Sequence, residues 1–455
     1  MQLIESIYDI FYVEFSKLLG KINNKYKVQM FEKLRLKKLR KISKFAFANS
    51  NFYRKVFIEN GIREEDLDRI QFEQLPIIKK KDMIDNIQDV FTDKSIVKDD
   101  LFKFIHDPSS GNIYKEKYIC FTTSGTLGLK LPILFSLKDF NKVIINTLFY
   151  NTFPIKFLIG KKTRVTMIGL IEGRSAGITF FKNLPNLIYN KKSISLLLPI
   201  PKIVEELNSF NPEMLISYPG VFVSLLEYKK NGKLRISPKK IVLSGEILTK
   251  ENAKKIRETF NCEVVNSYGS SECLIVGTQQ NDKPYLIFPN TCHIELVGHD
   301  NKPAPVGELG RIVITNFQNF SQPFIRYDIG DFAVNTVNEF GEFSFDGVAG
   351  RNYKPILFQN NEGEKFEIFH WTFYTYILYA AGIYKSQMRI GNNCFKTFLV
   401  GTQECIEKCK NNFDELLKSL GAEKSVKFSF EKVDDIKPES NGKIPFIIFD
   451  DSLNY

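Results

Sequence analysis

The sequence lacks the cysteine and histidine spacings that mark disulfide frameworks and metal centres. Its seven cysteines form no Cys-x-x-Cys pair and are odd in number, and its four histidines make no His-Glu-x-x-His motif. Structural zinc sites and disulfide scaffolds usually need such patterns. The thiols are therefore expected to be reduced, as in a cytoplasmic protein, and no structural metal is predicted.

Long apolar runs are also missing. Charged residues interrupt the apolar first twenty residues, and this stretch is too short to span a bilayer. No signal peptide is expected, because there is neither a basic leading segment nor a cleavage site. An amphipathic helix packed on the body of the protein is favoured there, and peripheral contact with a membrane surface is the alternative.

Arginine-rich tails and aromatic-interleaved basic repeats are absent as well, so nucleic-acid binding is not predicted. The chain has 63 basic and 52 acidic residues, a net charge of +11, and its lysines are spread throughout. A positive field of this kind suits anionic small molecules such as ATP and CoA.

What the sequence does contain is an alternation of short apolar runs and amphipathic stretches from residue 118 onward. Such alternation predicts an α/β fold with mostly parallel sheets covered by helices. We predict a large N-terminal domain over residues 1–350, with a helical segment at about 1–95. A small, mobile α+β domain is predicted over residues 351–455, with a helix at about 403–420.

One loop is rich in glycine, hydroxyl groups and positive charge. Glycines let its backbone bend, so that freed N–H groups and hydroxyls can surround phosphate oxygens. No Gly-Lys-Ser/Thr sequence ends the loop, so it is not a Walker A motif. The residues expected to bind phosphate are Thr122, Thr123, Ser124, Gly125, Thr126, Gly128 and Lys130.

Three further motifs follow in order along the chain. They are Ser267-Tyr-Gly-Ser-Ser-Glu272, then Phe324-Ile-Arg-Tyr-Asp-Ile-Gly-Asp331 with Gly350-Arg351 behind it, and finally Ser440-Asn-Gly-Lys443. The first of these, and the shorter Ser244-Gly-Glu246, follow predicted strands. Ligands of parallel sheets bind at the carboxyl ends of strands, which makes both turns candidate binding elements.

In this order the four motifs resemble those of the adenylate-forming superfamily, which includes acyl-CoA synthetases, peptide-synthetase adenylation domains and luciferases. Upstream, Tyr53-Arg54, Asn60-Gly-Ile62 and Leu75-Pro-Ile-Ile-Lys-Lys-Lys-Asp82 resemble the N-terminal region of phenylacetate–CoA ligases and CapK-type proteins. The resemblance covers roughly residues 30 to 450.

The resemblance implies ATP and Mg²⁺ as cofactors and assigns a role to each motif. The glycine-rich loop would hold the β- and γ-phosphates, Tyr268 would stack on adenine, and Asp331 would bind the ribose hydroxyls. Glu272 would bind Mg²⁺, and Arg351 would assist at the ribose or a phosphate. Other residues expected beside the nucleotide are Ser244, Gly245, Glu246, Ser267, Gly269 and Ser270.

Lys443 and Glu272 are the expected catalytic residues. Adenylation joins a carboxylate to the α-phosphate of ATP, so two anions must meet, and charge neutralisation and alignment carry most of the catalysis. Lys443 would reach the reacting groups from the small domain. The resemblance also places the acyl pocket beside residues 169–181, where Arg174 could pair with a second negative charge of the substrate or be merely exposed.

The expected product is an acyl-AMP whose acyl group passes to CoA. The alternatives are transfer to an amine or hydroxyl of a sugar or metabolite in capsule or polysaccharide biosynthesis, and a non-catalytic nucleotide-binding role. Two departures from the family pattern support the last alternative: Leu127 and Lys130 in the loop, and Pro355 in the predicted hinge. The joint presence of Asp331, Glu272 and Lys443 speaks against it.

Overall fold

A computed structural model describes most of the chain. The described residues are 24–107, 110–123, 131–150, 161–169, 171, 174–196, 198–281, 283–298, 300–338, 342–351, 356–368, 383, 385–437, 447–450 and 452–453. They form two compact units. Unit 1 holds the described parts of residues 1–167, 171–193 and 265–348, and unit 2 those of residues 168–170, 194–264 and 349–455. The boundary at residue 350 between two domains stays a prediction.

Helices dominate the first hundred described residues, as the lysine- and leucine-rich pattern predicts. The helices are α1 (Asn24–Asn49), α2 (Asn51–Glu59), α3 (Lys80–Asp85), α4 (Ile87–Val90), α5 (Lys98–His106), α6 (Leu137–Tyr150), α7 (Ala176–Lys182), α8 (Ile200–Phe210), α9 (Pro219–Lys230), α10 (Lys250–Phe260) and α11 (Gln403–Ser419). Short 3₁₀ turns lie at Glu64–Asp68 and Phe72–Gln74.

Strands occupy most of the remaining described chain. They are β1 (Ile113–Tyr114), β2 (Tyr118–Thr122), β3 (Pro132–Ser136), β4 (Thr163–Gly169), β5 (Tyr189–Ser195), β6 (Met214–Ser217), β7 (Lys240–Ser244), β8 (Glu263–Tyr268), β9 (Gly277–Gln280), β10 (Leu286–Ile287), β11 (Cys292–Val297), β12 (Leu309–Asn316), β13 (Tyr327–Val337), β14 (Phe343–Arg351), β15 (Ile356–Gln359), β16 (Lys365–Ile368), β17 (Lys385–Gly391), β18 (Cys394–Val400), β19 (Lys427–Lys432) and β20 (Ile447–Phe449).

Unit 1 contains antiparallel strand pairs. β1, β2 and β3 form one sheet, and β11 to β14 form another in sequence order. β9 pairs antiparallel with both β8 and β10. Within this unit Tyr53 of α2 is fully buried: its hydroxyl donates to the Pro323 carbonyl at 2.9 Å and accepts from the Ile325 N–H at 3.1 Å. The N-terminal helices are thereby fastened to the chain that leads into β13.

The central part of unit 2 has the strand–helix alternation that the sequence predicts. β6 and β7 pair in parallel, with Met214 opposite Lys240. Apolar residues of α8, α9 and α10 pack with these strands into one core. The Thr249 hydroxyl accepts the Asn252 N–H at 3.1 Å and so caps α10. Parallel strands with helical connections are the expected arrangement for such a repeat.

The C-terminal part of unit 2 is a four-stranded sheet in the order β19-β18-β17-β20 with α11 packed on it. The α11 residues Ile406, Cys409, Phe413 and Leu417 are buried in the core that they share with this sheet. The Phe413 ring meets Phe395 of β18 edge-on, 4.5 Å between centroids. The predicted α/β class with parallel strands is therefore confirmed.

Candidate active site

The predicted site residues fall into three groups. Those in unit 1 are Thr122, Thr123, Ser267, Tyr268, Gly269, Ser270, Glu272 and Asp331, and those in unit 2 are Ser244, Gly245, Glu246 and Arg351. Outside the described residues lie Ser124, Gly125, Thr126, Gly128, Lys130 and Lys443. Only the backbone of Arg351 is described, as the last residue of β14.

The two residues that flank the glycine-rich loop are hydrogen-bonded to each other. Thr123 follows β2 and is 3% exposed, and its N–H donates to the Leu131 carbonyl at 3.1 Å. Its hydroxyl accepts the Leu131 N–H at 3.0 Å and also accepts from Lys80 Nζ at 3.2 Å. Residues 123 and 131 are thus held together at the ends of two adjacent strands. A loop fixed at both ends costs less entropy to order around a phosphate than a free segment does.

The second motif forms a tight turn after β8. The Ser270 carbonyl accepts the N–H groups of Cys273 and Leu274, at 3.2 and 2.6 Å. The turn folds back so closely that a Cβ on Gly269 would lie 1.9 Å from the Leu274 carbonyl oxygen. Only glycine fits at this position. The hydroxyl oxygen of Ser270 is buried and has no hydrogen-bond partner among the described residues.

The second and third motifs meet through one hydrogen bond. The Tyr268 hydroxyl donates to the carboxylate of Asp331, in β13, at 2.8 Å. Burial raises the pKa of Tyr268 well above its usual value, and the charge of Asp331 raises it further. The phenol therefore stays protonated at physiological pH and can donate to the carboxylate throughout.

Aromatic side chains enclose the Tyr268 ring. Phe345 lies edge-on to it at 5.4 Å and Tyr285 at 6.1 Å, and these two rings stack on each other at 4.6 Å. Tyr285 accepts a hydrogen bond from the Asn266 amide at 2.7 Å. Only 8% of Tyr268 is exposed. Little of the Tyr268 ring is therefore accessible in this structure, and its stacking on adenine stays a prediction.

Glu272 ends the turn and is 7% exposed, so it is not the solvated surface carboxylate that an isolated glutamate usually is. Its backbone carbonyl accepts from the Asn316 amide at 2.7 Å. Its carboxylate accepts no hydrogen bond from any residue of the described chain. Such a carboxylate can accept a cation, and Mg²⁺ binds through one or two carboxylates together with phosphates and water. Within the described residues no group of three or more His, Cys, Asp or Glu side chains could hold a metal alone.

The segment Leu75–Asp82, which carries part of the family resemblance, joins the first motif to the third. Ile78 donates its N–H to the Arg326 carbonyl at 2.9 Å, and its carbonyl accepts the Asp328 N–H at 2.9 Å. Two residues further on is Lys80, whose ammonium reaches Thr123. The loop base and the strand that carries Asp331 are therefore linked by a short extended segment.

Two residues of this network received no role from the sequence. Lys80 is one of three consecutive lysines that lie close to a proline. This run is the only sequence feature that points to Lys80. Arg326 is buried and pairs with Glu295 at 3.0 Å. Its guanidinium also donates to the Leu75 carbonyl at 2.6 Å. Arg326 thus holds the Leu75 segment in place and belongs to the scaffold of the site.

In unit 2, the turn after β7 contacts the start of α9. The Glu246 carboxylate accepts the Gly220 N–H, at the start of α9, at 2.9 Å. Gly245 has φ +81°, and a Cβ there would lie 2.8 Å from the Tyr218 ring. A carboxylate at a helix N-terminus interacts favourably with the helix dipole. In this structure Glu246 stabilises the start of α9.

Arg174 is not merely exposed, because its guanidinium is engaged within unit 1. Its guanidinium donates to the carbonyls of Phe104 and Asp107 and to the Ser110 hydroxyl, and it lies over the Phe104 ring at 4.7 Å. These contacts satisfy carbonyls at the end of α5. Arg174 therefore anchors this helix end in unit 1.

Comparison with known proteins gives a consistent result. Residues 189–322 match a family model described as AMP-binding enzyme, a span that includes the turns after β7 and β8. Protein CapK of Staphylococcus aureus is 24% identical over 304 residues, which are 64% of this chain and 60% of CapK. Indoleacetate–lysine synthetase of Pseudomonas savastanoi is 32% identical over 134 residues, 28% of this chain and 31% of the synthetase. The matched regions span less than two thirds of either relative.

Matches to solved structures cover more of the chain than the matches to these two relatives do. 2-Hydroxyisobutyryl-CoA ligase in its postadenylation state has a TM-score of 0.67 at 17% identity, and the match covers 93% of this chain and 90% of that one. The same ligase in an open conformation has a TM-score of 0.58. No helix of the described residues is long and apolar enough to cross a membrane. The chain has the fold of adenylate-forming CoA ligases, and the predicted resemblance to adenylate-forming, AMP-binding enzymes is confirmed.

Proposed function

We propose that the protein is an AMP-forming ligase that activates a carboxylic acid as acyl-AMP and passes the acyl group to CoA in the cytoplasm. The observation that carries the proposal is the meeting of the second and third motifs in unit 1. There the Tyr268 hydroxyl contacts Asp331 at 2.8 Å, and the turn that begins at Gly269 ends in the nearly buried Glu272. A non-catalytic fold would gain no stability from keeping a carboxylate that accepts no hydrogen bond from the described residues.

Each residue of this site has a distinct task. Asp331 would accept hydrogen bonds from the ribose hydroxyls. Glu272 would hold Mg²⁺, whose charge offsets the charge on the phosphates. Thr123 and Lys80 would fix the base of the loop that surrounds the β- and γ-phosphates. Lys443, outside the described residues, would bring a mobile positive charge to the reacting carboxylate and α-phosphate.

Tyr268 is assigned a different task from adenine stacking. Its ring is covered by Tyr285 and Phe345, and its hydroxyl donates to Asp331. A buried donor of this kind fixes the orientation of the carboxylate that it contacts. We therefore treat Tyr268 as a positioning residue that acts on the ribose through Asp331.

A second candidate is amide formation, in which an amine replaces the CoA thiol as the acceptor. The named activity of the Pseudomonas relative joins indoleacetate to lysine, and its identity of 32% exceeds that of the CoA ligase structures. Both candidates share the acyl-AMP step. They differ only in the nucleophile that attacks it.

The shared step is tested by exchange of labelled pyrophosphate into ATP with a panel of carboxylic acids. Positive acids are then incubated with CoA, with amines or with sugars, and the acyl product is identified by mass spectrometry. A thioester supports the first candidate and an amide the second. ATP binding without exchange for any acid, and without pyrophosphate release when acceptors are added, would leave a nucleotide-binding protein instead.

The role of Lys443 can be tested beside the shared step. Lys443→Ala should slow acyl-AMP formation by about 10²–10³-fold, because preorganised charges contribute on that order where negative charge crowds in the transition state. The melting temperature and the affinity for ATP should change little. Adenylation at the rate of the unmodified protein would remove Lys443 from the reaction.

A further inference from the structure

Two of the motifs contain left-handed backbone at residues that rarely adopt it. Nine residues other than glycine have a positive φ in the described chain. Five of them are asparagines, which tolerate this backbone, and two follow each other in the turn between β1 and β2. The remaining two are Leu274 and Arg326. Leu274 lies two residues beyond Glu272, and Arg326 lies five residues before Asp331 in the third motif.

Leu274 is the apolar member of these nine residues. It has a φ of +64° and is 7% exposed. In left-handed backbone the Cβ of an L-residue comes too close to the following carbonyl oxygen, which disfavours this conformation by about fivefold to thirtyfold. Glycine avoids the cost because it has no Cβ. A leucine in this conformation therefore needs compensation from the surrounding structure.

Hydrogen bonds define the turn around Leu274. Its N–H donates to the Ser270 carbonyl at 2.6 Å, which is the bond that ends a helical turn with a left-handed residue. The Val276 N–H donates to the Tyr268 carbonyl at 2.9 Å and closes the turn. The Leu274 carbonyl lies against Gly269, where a Cβ would be 1.9 Å from the carbonyl oxygen. The strained residue therefore lies inside a closed turn.

Burial of the leucine side chain compensates for the strained backbone. Full burial of a leucine stabilises a fold by more than left-handed backbone costs, on average values for the two effects. Glu272 lies within the same turn, and its backbone carbonyl accepts from the Asn316 amide at 2.7 Å. Its carboxylate accepts no hydrogen bond from the described residues. The direction of this carboxylate therefore depends on the conformation of the turn.

We propose that Leu274 is a positioning residue, whose buried side chain keeps the turn in the left-handed conformation that places the Glu272 carboxylate to hold Mg²⁺. This inference rests on the proposed function only in taking Glu272 as the Mg²⁺ ligand. Replacing a residue that orients a metal ligand lowers metal affinity by about 10- to 100-fold.

Two substitutions separate strain from ordinary packing. Leu274→Ala removes the buried side chain and keeps the Cβ, so the left-handed conformation loses its support. Leu274→Gly removes the side chain and the backbone cost together, so the turn can keep its conformation. At an ordinary buried position glycine is the worse replacement, because it leaves a larger cavity and a more flexible unfolded chain. Leu34 is such a position, since it lies in helix α1 and is 8% exposed.

The test combines thermal unfolding with calorimetry of ATP binding, both on the intact chain. Leu274→Gly should melt about 2 °C above Leu274→Ala, and Leu34→Gly about 2 °C below Leu34→Ala. The dissociation constant of ATP in the presence of Mg²⁺ should rise about tenfold in Leu274→Ala and less than about threefold in Leu274→Gly. With a chelator in place of Mg²⁺, the two Leu274 variants should bind ATP equally. The Leu34 variants should bind ATP as the unmodified protein does in both conditions.

Two results would overturn the proposal. One is a Leu274→Gly variant that does not fold or that melts no higher than Leu274→Ala, which would make Leu274 an ordinary core residue. The other is an equal dissociation constant for ATP with Mg²⁺ in the two Leu274 variants, which would leave the strain without a role at Glu272. Neither measurement needs a carboxylic acid or an acceptor. The expected binding pattern without pyrophosphate exchange for any acid would therefore count against the ligase function alone.

Discussion

Two consecutive strands end in turns that look alike in sequence and differ in structure. β7 runs into Ser244-Gly-Glu246, and β8 runs into Tyr268-Gly-Ser-Ser-Glu272. Each turn has a glycine with a glutamate after it, one residue later in the first turn and three residues later in the second. In unit 2 the Glu246 carboxylate accepts the Gly220 N–H at 2.9 Å. In unit 1 the Glu272 carboxylate accepts no hydrogen bond from the described residues, although the residue is nearly buried.

The glycines of the two turns differ in the reason why glycine is required. Gly245 is required by its positive φ of +81°, and the nearest obstacle to a side chain is the Tyr218 ring. Gly269 has no such φ and is required because a backbone carbonyl occupies the place of a Cβ. The first turn thus places its carboxylate at a helix N-terminus, and the second is folded tightly and its carboxylate accepts no hydrogen bond from the described residues. This difference supports the proposed role of Glu272 as a ligand-binding residue.

The largest effect expected from this difference is on the two glutamates. Glu272→Gln should slow acyl-AMP formation by about 10²–10³-fold, because a neutral amide binds Mg²⁺ poorly and the phosphate charge is then less well offset. Glu246→Gln is the matched control, since an amide oxygen can still accept the Gly220 N–H, and its rate should change less than about threefold. Pyrophosphate exchange at several Mg²⁺ concentrations measures both variants.

Excess Mg²⁺ should partly restore the Glu272→Gln variant and leave Glu246→Gln unaffected. If both variants lose activity equally, Glu246 contacts the nucleotide as well, as the family resemblance implies. If neither loses activity, Glu272 is not the metal ligand.

Substitution of Gly269 should lower the stability of the protein more than substitution of Gly245. Gly269→Ala is expected to destabilise the protein by about 3 kcal/mol, the upper end for forced contacts, because a Cβ 1.9 Å from the Leu274 oxygen requires the backbone to move. Gly245→Ala should cost about 1–2 kcal/mol, the cost of left-handed backbone for a residue with a Cβ. Thermal unfolding of both variants gives the order. A Gly245 variant less stable than the Gly269 variant would contradict the described turn.

Asp331→Ala tests the proposed contact between Asp331 of β13 and the ribose. The ribose hydroxyls would lose charge-assisted hydrogen bonds worth about 1.5–3 kcal/mol, which is roughly tenfold to a hundredfold in ATP affinity. Asp331→Asn keeps the shape of the side chain and one acceptor oxygen. Its affinity for ATP should lie between those of the unmodified protein and the Asp331→Ala variant. Calorimetry measures both affinities. Unchanged ATP binding in a folded Asp331→Ala variant would remove this residue from the site.

The extent to which sequence predicted structure follows from the range of the interactions. Helix α11 and the turns after β7 and β8 are set by local patterns of apolar residues and glycines, and the sequence located them to within a few residues. The fold class followed from their order. Ile78, Lys80 and Arg326 could not be assigned roles, because their partners lie at residues 326, 123 and 75 and no local pattern encodes such pairings.

Arg174 and Tyr268 show the same limit for function. A lone arginine near an expected acyl pocket suggests a substrate contact, but three acceptors at the end of α5 surround it. A tyrosine in the second motif suggests adenine stacking by resemblance, but burial of its ring depends on Phe345 and Tyr285, which are distant from it in sequence. Chemistry that depends on an open face or a free acceptor can be judged only after packing is known.

The smallest expected effect separates stacking from positioning at Tyr268. Tyr268→Phe keeps the ring and removes only the hydrogen bond to Asp331, so stacking predicts no change. If the hydroxyl orients Asp331 toward the ribose, ATP affinity should fall about fivefold, the equivalent of about 1 kcal/mol. Affinity for 2′,3′-dideoxy-ATP should not change, because that nucleotide lacks the hydroxyls that Asp331 binds.

The matched control for this variant is Tyr285→Phe, which removes a neighbouring hydroxyl bonded to Asn266 and leaves the bond to Asp331 intact. It should bind both nucleotides as the unmodified protein does. A loss for ATP and dideoxy-ATP alike in Tyr268→Phe would mean that the hydroxyl supports the fold of the pocket as a whole. Unchanged affinity for ATP would return Tyr268 to the stacking role, since the ring would then be its only contribution.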